Sequence, residues 1–181
     1  MTVRDIRIYG DPVLRQKATA VTDFDASLRR LVSDLVDTLA DAGGAGLASP
    51  QIGIGLRVFA YAAEGELRHL VNPTLAVESD ADDDVLDMEG CLSLPGLAYE
   101  LARPRRIVAR GFDQHGEPLE IDGTERLARC FAHETDHLDG VLFIDRQPPE
   151  ERKRAKREIR EMLLAGEDIR VGRSPHAGFV G

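Results

Sequence analysis

Six apolar positions, Leu28, Leu31, Val32, Leu35, Val36 and Leu39, recur at intervals of three and four. An α-helix turns about 100° per residue, so all six fall on one stripe. The pattern predicts an amphipathic helix, with Asp25 placed to cap its start and Gly43-Gly44 to end it. Upstream, residues 11–21 read as an irregular opening, since Pro12 discourages a helix. Downstream, residues 56–61 and 67–73 read as strands joined by a loop containing Glu and Gly. A second hairpin is expected from residues 105–113 and 118–122, around residues 114–117. Residues 128–138 predict a second helix, and residues 151–165 a third, with Ala155, Ile159, Met162 and Leu163 on one stripe. Residues 1–166 read as one domain and residues 167–181 as a tail. Strands and helices come in blocks rather than in alternation. The expected class is therefore α+β, with mostly antiparallel sheets packed around a central helix at 128–138 and one helix towards each end.

Composition narrows the function. Hydrophobic residues make up 43% and charged residues 30%, as in a soluble globular chain. No run of 18 apolar residues is present, so no membrane span is expected. The first residues lack an apolar signal region, so the expected location is the cytoplasm, with both cysteines reduced. A net charge of -9 argues against DNA held over a broad surface, which needs a basic face. The charge is uneven: residues 80–84 are acidic and residues 152–160 basic, and both read first as solvated surface.

The chemistry concentrates in residues 130–140, CFAHETDHLDG. His133 and His137 are four apart, so on a helix their rings can point at one place. Glu134 sits where it can reach a water on a shared ion, the H-E-x-x-H arrangement. The bland alternative is a pair of surface or core histidines. A catalytic site of this kind needs a third protein ligand and an open position. Cys91, in the Gly- and Pro-bounded stretch EGCLSLPG, is the better candidate, because thiolate suits soft or borderline ions. Cys130, one turn before His133, is the rival, although a lone helical cysteine is more often core. Residues 44–53, GAGLASPQIG, form a glycine-rich loop without the Lys-Ser/Thr ending of a phosphate loop.

Three stretches together resemble the peptide deformylase family: Gly44-Ala45-Gly46-Leu47-Ala48-Ser49-Pro50-Gln51, Glu89-Gly90-Cys91-Leu92-Ser93 and Ala132-His133-Glu134-Thr135-Asp136-His137. The resemblance extends from about residue 8 to residue 146, in the family's order. It implies a catalytic domain that removes the formyl group from the formyl-methionine end of newly made polypeptides, releasing formate. It implies one divalent ion per chain on Cys91, His133 and His137, with Fe²⁺ as the ion in the cell and Zn²⁺ also able to bind. Glu134 would act as general base and then general acid. The Gln51 side-chain amide and the Leu92 backbone N–H would meet the oxyanion, and Ala45, Gly46 and Gly90 would bond an extended peptide through the main chain.

Departures from the family pattern are Ser49, Ala132, Arg126 and Arg129. The two arginines fall where the family has an apolar pocket for the methionine side chain; they either point outward or line it with their aliphatic stems, which makes Arg129 a substrate-binding candidate. Asp136 reads equally as a partner of the metal ligands or as surface. The basic stretch 152–160 offers a transient contact with the ribosome, where such a substrate emerges. Two other readings stay open: an H-E-x-x-H metallopeptidase with a His or Glu third ligand, and a non-catalytic formyl-peptide-binding relative.

Overall fold

The computed structural model describes residues 2–164; the tail expected at 167–181 lies outside them. The first helix, α1, spans Ala26–Ala42. The Asp25 carboxylate accepts from the Ser27 and Leu28 N–H groups at 2.8 and 3.1 Å and so caps its start. Gly43, at φ 63°, ends it in the left-handed conformation that glycine adopts without strain.

Five strands follow as one antiparallel sheet ordered β1-β2-β3-β6-β7. They are β1 Gly46–Ala48, β2 Val58–Ala63, β3 Glu66–Val77, β6 Arg106–Phe112 and β7 Pro118–Thr124. Between β3 and β6 the chain makes a separate two-stranded hairpin, β4 Val85–Cys91 with β5 Leu94–Arg103. The second helix, α2, spans Glu125–Leu138, and the third, α3, spans Pro149–Leu164. The mixed α+β class with antiparallel sheets is as the residue pattern predicts.

β2 shows how the layers are built. Its side chains alternate between faces, and both faces are buried. Val58 and Ala60 join the α1 stripe, with Leu28, Leu31, Leu35 and Leu39. Phe59 and Tyr61 join Ala128, Phe131 and Leu138 of α2 on the other side. A third cluster packs Leu97 and Leu101 of β5 on Phe143, Ile144, Ala155 and Ile159. β3 is irregular between Val71 and Thr74, where the Asn72 amide bonds both Val21 N and Val21 O and ties down the opening segment.

Two elements depart from the expectation. The glycine-rich stretch read as a loop contains a short strand, β1, paired to β2 with Gly46 opposite Tyr61. No strands were expected at 85–103, where the β4–β5 hairpin forms. β4 inverts the usual pattern: Leu86 and Met88 face solvent while Glu89 is buried. Alternation that puts the apolar residues outside cannot be read as a buried strand face.

Candidate metal centre and peptide cleft

Cys91, His133 and His137 offer one ligand atom each, all within 4.8 Å of one another. Cys91 ends β4, where the ladder shifts register after Gly90 and turns through Leu92 and Ser93. His133 and His137 lie on one face of α2, with ring centroids 4.9 Å apart. His137 Nε2 stands 3.1 Å from Cys91 Sγ. His133 Nδ1 faces Glu89 Oε1 at 2.8 Å, which leaves Nε2 as its ligand atom. The rival sulfur, Cys130, is directed instead at the Ala45 carbonyl, 3.4 Å away beneath β1.

The donor set fits a divalent ion. Burial and the neighbouring His133 push the His137 pKa well below its usual value, so His137 is a neutral imidazole, the form that binds metal. Burial opposes charge on His133 too, but the Cys91 sulfur and the Glu89 carboxylate outweigh it and hold its pKa well above the usual value. The sulfur and carboxylate that favour a proton on His133 also favour a cation, which displaces that proton when it binds. His137 Nδ1 and Glu134 Oε2 are buried and have no hydrogen-bond partner among the described residues.

Glu134 is 3% exposed. Burial raises its pKa to about 7, and the nearby Glu89 adds to the rise while His133 opposes it. A carboxyl poised near neutrality can both take and return a proton. Glycine at position 46 makes room for it, because a Cβ there would collide with the Glu134 carboxylate and the Cys130 sulfur.

Behind His133 lies a buried ionic network. Arg103 donates to Glu89 Oε2 and Oε1 at 3.0 and 2.6 Å and to Asp136 Oδ2 at 2.9 Å. Arg146 closes on the other Asp136 oxygen at 2.6 Å. Burial disfavours charge on Glu89, yet the bonds from His133 and Arg103 hold its carboxyl well below the usual range. Asp136 is thus buried and linked to the centre through Arg103 and Glu89 rather than by touching a ligand. Glu89 and Arg103 were not singled out from sequence. The available signal was an acidic residue two positions before a thiolate ligand, since a ligating histidine usually donates its other N–H to a carboxylate.

The centre opens into a cleft of about 540 Å³. Ala45, Gly46, Gln51, Gly90, Leu92, Arg126 and Arg129 border it. β1 and β4 are each paired on one side only, so two strand edges flank it. Gln51 Oε1 accepts from the Ala48 N–H at 2.7 Å, which aims Nε2 at Ser93 Oγ and Cys91 Sγ, 3.2 and 3.7 Å away. Ser93 is a further residue that sequence did not flag; Gln51 leans on its hydroxyl. At the border of the cleft the Arg129 guanidinium bonds Glu89, Leu101 O and Val85 O. Ser49 is fully buried and its hydroxyl bonds the Leu56 carbonyl, so the added oxygen is satisfied internally. Ala132 packs against the α2 side of the core.

A sulfur and two imidazoles at the base of a cleft edged by strands, beside a buried carboxyl of raised pKa, define a metal-dependent hydrolase of peptide-like substrates. The chain belongs to the polypeptide deformylase family, whose profile matches residues 3–153. A peptide deformylase of Acidothermus cellulolyticus is 57% identical over 97% of this chain and 96% of the relative. One from Parafrankia sp. is 52% identical over 99% of this chain and 98% of the relative. The solved peptide deformylase of Legionella pneumophila superposes with a TM-score of 0.83 at 36% identity, covering 92% of this chain and 99% of its own. Members of the family are metal-dependent hydrolases that remove the N-formyl group from newly made polypeptides. Among the described residues, no helix is long and apolar enough to cross a membrane.

Proposed function

We propose that this chain hydrolyses N-formyl-methionyl peptides in the cleft between β1 and β4, in the cytoplasm, with Cys91, His133 and His137 holding Fe²⁺ in the cell. Zn²⁺ suits the same donors. The observation that carries the reading is the convergence of Cys91, His133 and His137 with buried Glu134 alongside. When bound, the ion supplies a Lewis acid and lowers the pKa of a coordinated water.

Glu134 takes a proton from the attacking water and holds it on its carboxylate. Oxygen adds to the formyl carbon, and the oxyanion is met by Gln51 Nε2–H and the Leu92 backbone N–H. Glu134 then returns the proton to the amide nitrogen as the C–N bond breaks, giving formate and a free amino terminus. Loss of one oxyanion donor typically lowers the rate by ~10²–10³. The peptide extends along the open edges of β1 and β4, with Ala45, Gly46 and Gly90 as main-chain partners. A thiolate third ligand on a strand end favours this chemistry over that of an H-E-x-x-H metallopeptidase, which the His or Glu third ligand would mark.

The exposed face of α3, with Lys153, Arg154, Lys156, Arg157 and Arg160 beside a half-buried Arg152, meets ribosomal RNA transiently in this reading. Burial of Ala155 and Ile159 on its inner face supports a helix that presents those charges outward.

The test is formate release from formyl-Met-Ala by anaerobically prepared protein, with metal content measured on the same sample. Release well above the Glu134→Ala rate is expected, with one ion per chain. Equal release by both proteins rules out the hydrolase reading.

A further inference from the structure

The β4–β5 hairpin carries Cys91 but shares no ladder with the five-stranded sheet that supports α2. Something other than backbone pairing must therefore fix the distance from the sulfur to the imidazoles. We infer that Arg129 is a positioning residue that pins this hairpin to α2, setting the Cys91 sulfur against His133 and His137, in addition to bordering the cleft. This rests on the metal-centre reading above.

The geometry is that of a three-point clamp. Arg129 stands one turn before His133, on the same face of α2. Its Nη1 donates to Glu89 Oε2 at 2.9 Å and to the Leu101 carbonyl at 2.8 Å. Its Nη2 donates to the Val85 carbonyl at 2.7 Å. Val85 is in β4 and Leu101 in β5, so one planar guanidinium grips both strands of the hairpin. Its third partner, Glu89, also holds His133 Nδ1 and Arg103, so every acceptor site on that carboxylate used in the network faces a donor. The side chain is 12% exposed, which favours strong charge-assisted bonds over screened ones. Lysine offers a point charge and no fork, and cannot span the same three acceptors.

The experiment compares wild type, Arg129→Met and Arg129→Lys in the full chain. Co²⁺ affinity is measured by chelator competition, hydrogen exchange is followed in residues 85–103 of the metal-free protein, and KM is measured for formyl-Met-Ala. Arg129→Met should weaken Co²⁺ binding about 10- to 100-fold, the usual range for losing a partner behind a metal ligand, and should speed exchange across the hairpin. Arg129→Lys should fall between the two in both measurements, and it serves as the reading if Arg129→Met does not fold. Co²⁺ affinity equal to wild type overturns the proposal, whether accompanied by a raised KM, which would assign Arg129 to the substrate, or by lower thermal stability alone. Co²⁺ binding is read without turnover. A chain that behaves as stated yet releases no formate therefore keeps the clamp and loses the hydrolase reading.

Discussion

The helix α1 and the strand β4 are held in this molecule by opposite means. α1 is held by an apolar stripe against the sheet, with Leu35 and Leu39 fully buried. β4 sends Leu86 and Met88 to solvent and buries Glu89, which four charge-assisted bonds secure. Apolar contact is non-directional, and it can hold a helix firmly without specifying the position of any one atom. Charge-assisted hydrogen bonds have fixed lengths and directions, and they hold Cys91 and His133 to a tolerance that a metal centre demands. β5 has its own apolar packing through Leu97 and Leu101, but the strand that needs atomic placement, β4, is secured by ions.

The largest effect should come from the hairpin side. Glu89→Ala leaves the buried Arg103 with one carboxylate fewer and His133 without its orienting acceptor. A loss of about 3–5 kcal/mol in stability is expected from breaking a buried ion network. Metal affinity should fall by ~10–100-fold as well. Urea unfolding and chelator competition measure the two; unchanged metal affinity would break the contrast drawn here.

Leu35→Ala tests α1. Its side chain is 0% exposed, and truncation there should lower stability by about 2–5 kcal/mol. Metal affinity of the folded fraction should stay within a factor of about two of wild type, since no polar partner of the centre is touched. A metal defect as deep as that of Glu89→Ala would show that α1 also positions the ligands.

Glu134→Gln sharpens the comparison within α2 itself. In metal-free protein the folded carboxyl has a pKa of about 7 against an ordinary value of 4.5. Between these values the unfolded chain gives up its proton first, so this group lowers stability as pH rises through that window and costs nothing below it. The accumulated penalty is about 3 kcal/mol above pH 7. Glu134→Gln should therefore flatten the pH dependence of metal-free stability and stabilise the fold at pH 8, while lowering kcat by ~10²–10⁴. An unaltered pH profile in urea unfolding would contradict the assigned burial cost.

The smallest effect belongs to the helix start. Asp25→Ala removes the acceptor for Ser27 and Leu28 N–H and should cost about 1 kcal/mol, with kcat and metal affinity unchanged. A thermal melt is enough to see it.

Much of the frame was legible in the residue order. The α1 stripe, the paired strands around 114–117 and the two further helices all show periodicities that local geometry imposes. The His133–Glu134–His137 spacing is legible for the same reason, because a helix makes residues four apart neighbours. β1 was hidden by its opening glycine, Gly46, which weakens a strand signal; here it keeps bare backbone beside Glu134. β4 was hidden by its inverted pattern. Arg129 was visible only as a charge in an apolar setting, and its three acceptors come from residues 85, 89 and 101, which no local rule connects to it.

By itself, the order of residues determined the helices, the class of fold and the chemical kinds gathered for the centre, since each depends on spacing along the chain. Only the tertiary structure decided that Cys91 rather than Cys130 faces the histidines, that Glu89 and Arg103 stand behind them, and that Arg129 reaches across to the hairpin. Those choices depend on which surfaces meet when distant segments pack, and for Glu89, Arg103 and Asp136 the meeting is selected by burying each charge against a partner of opposite sign.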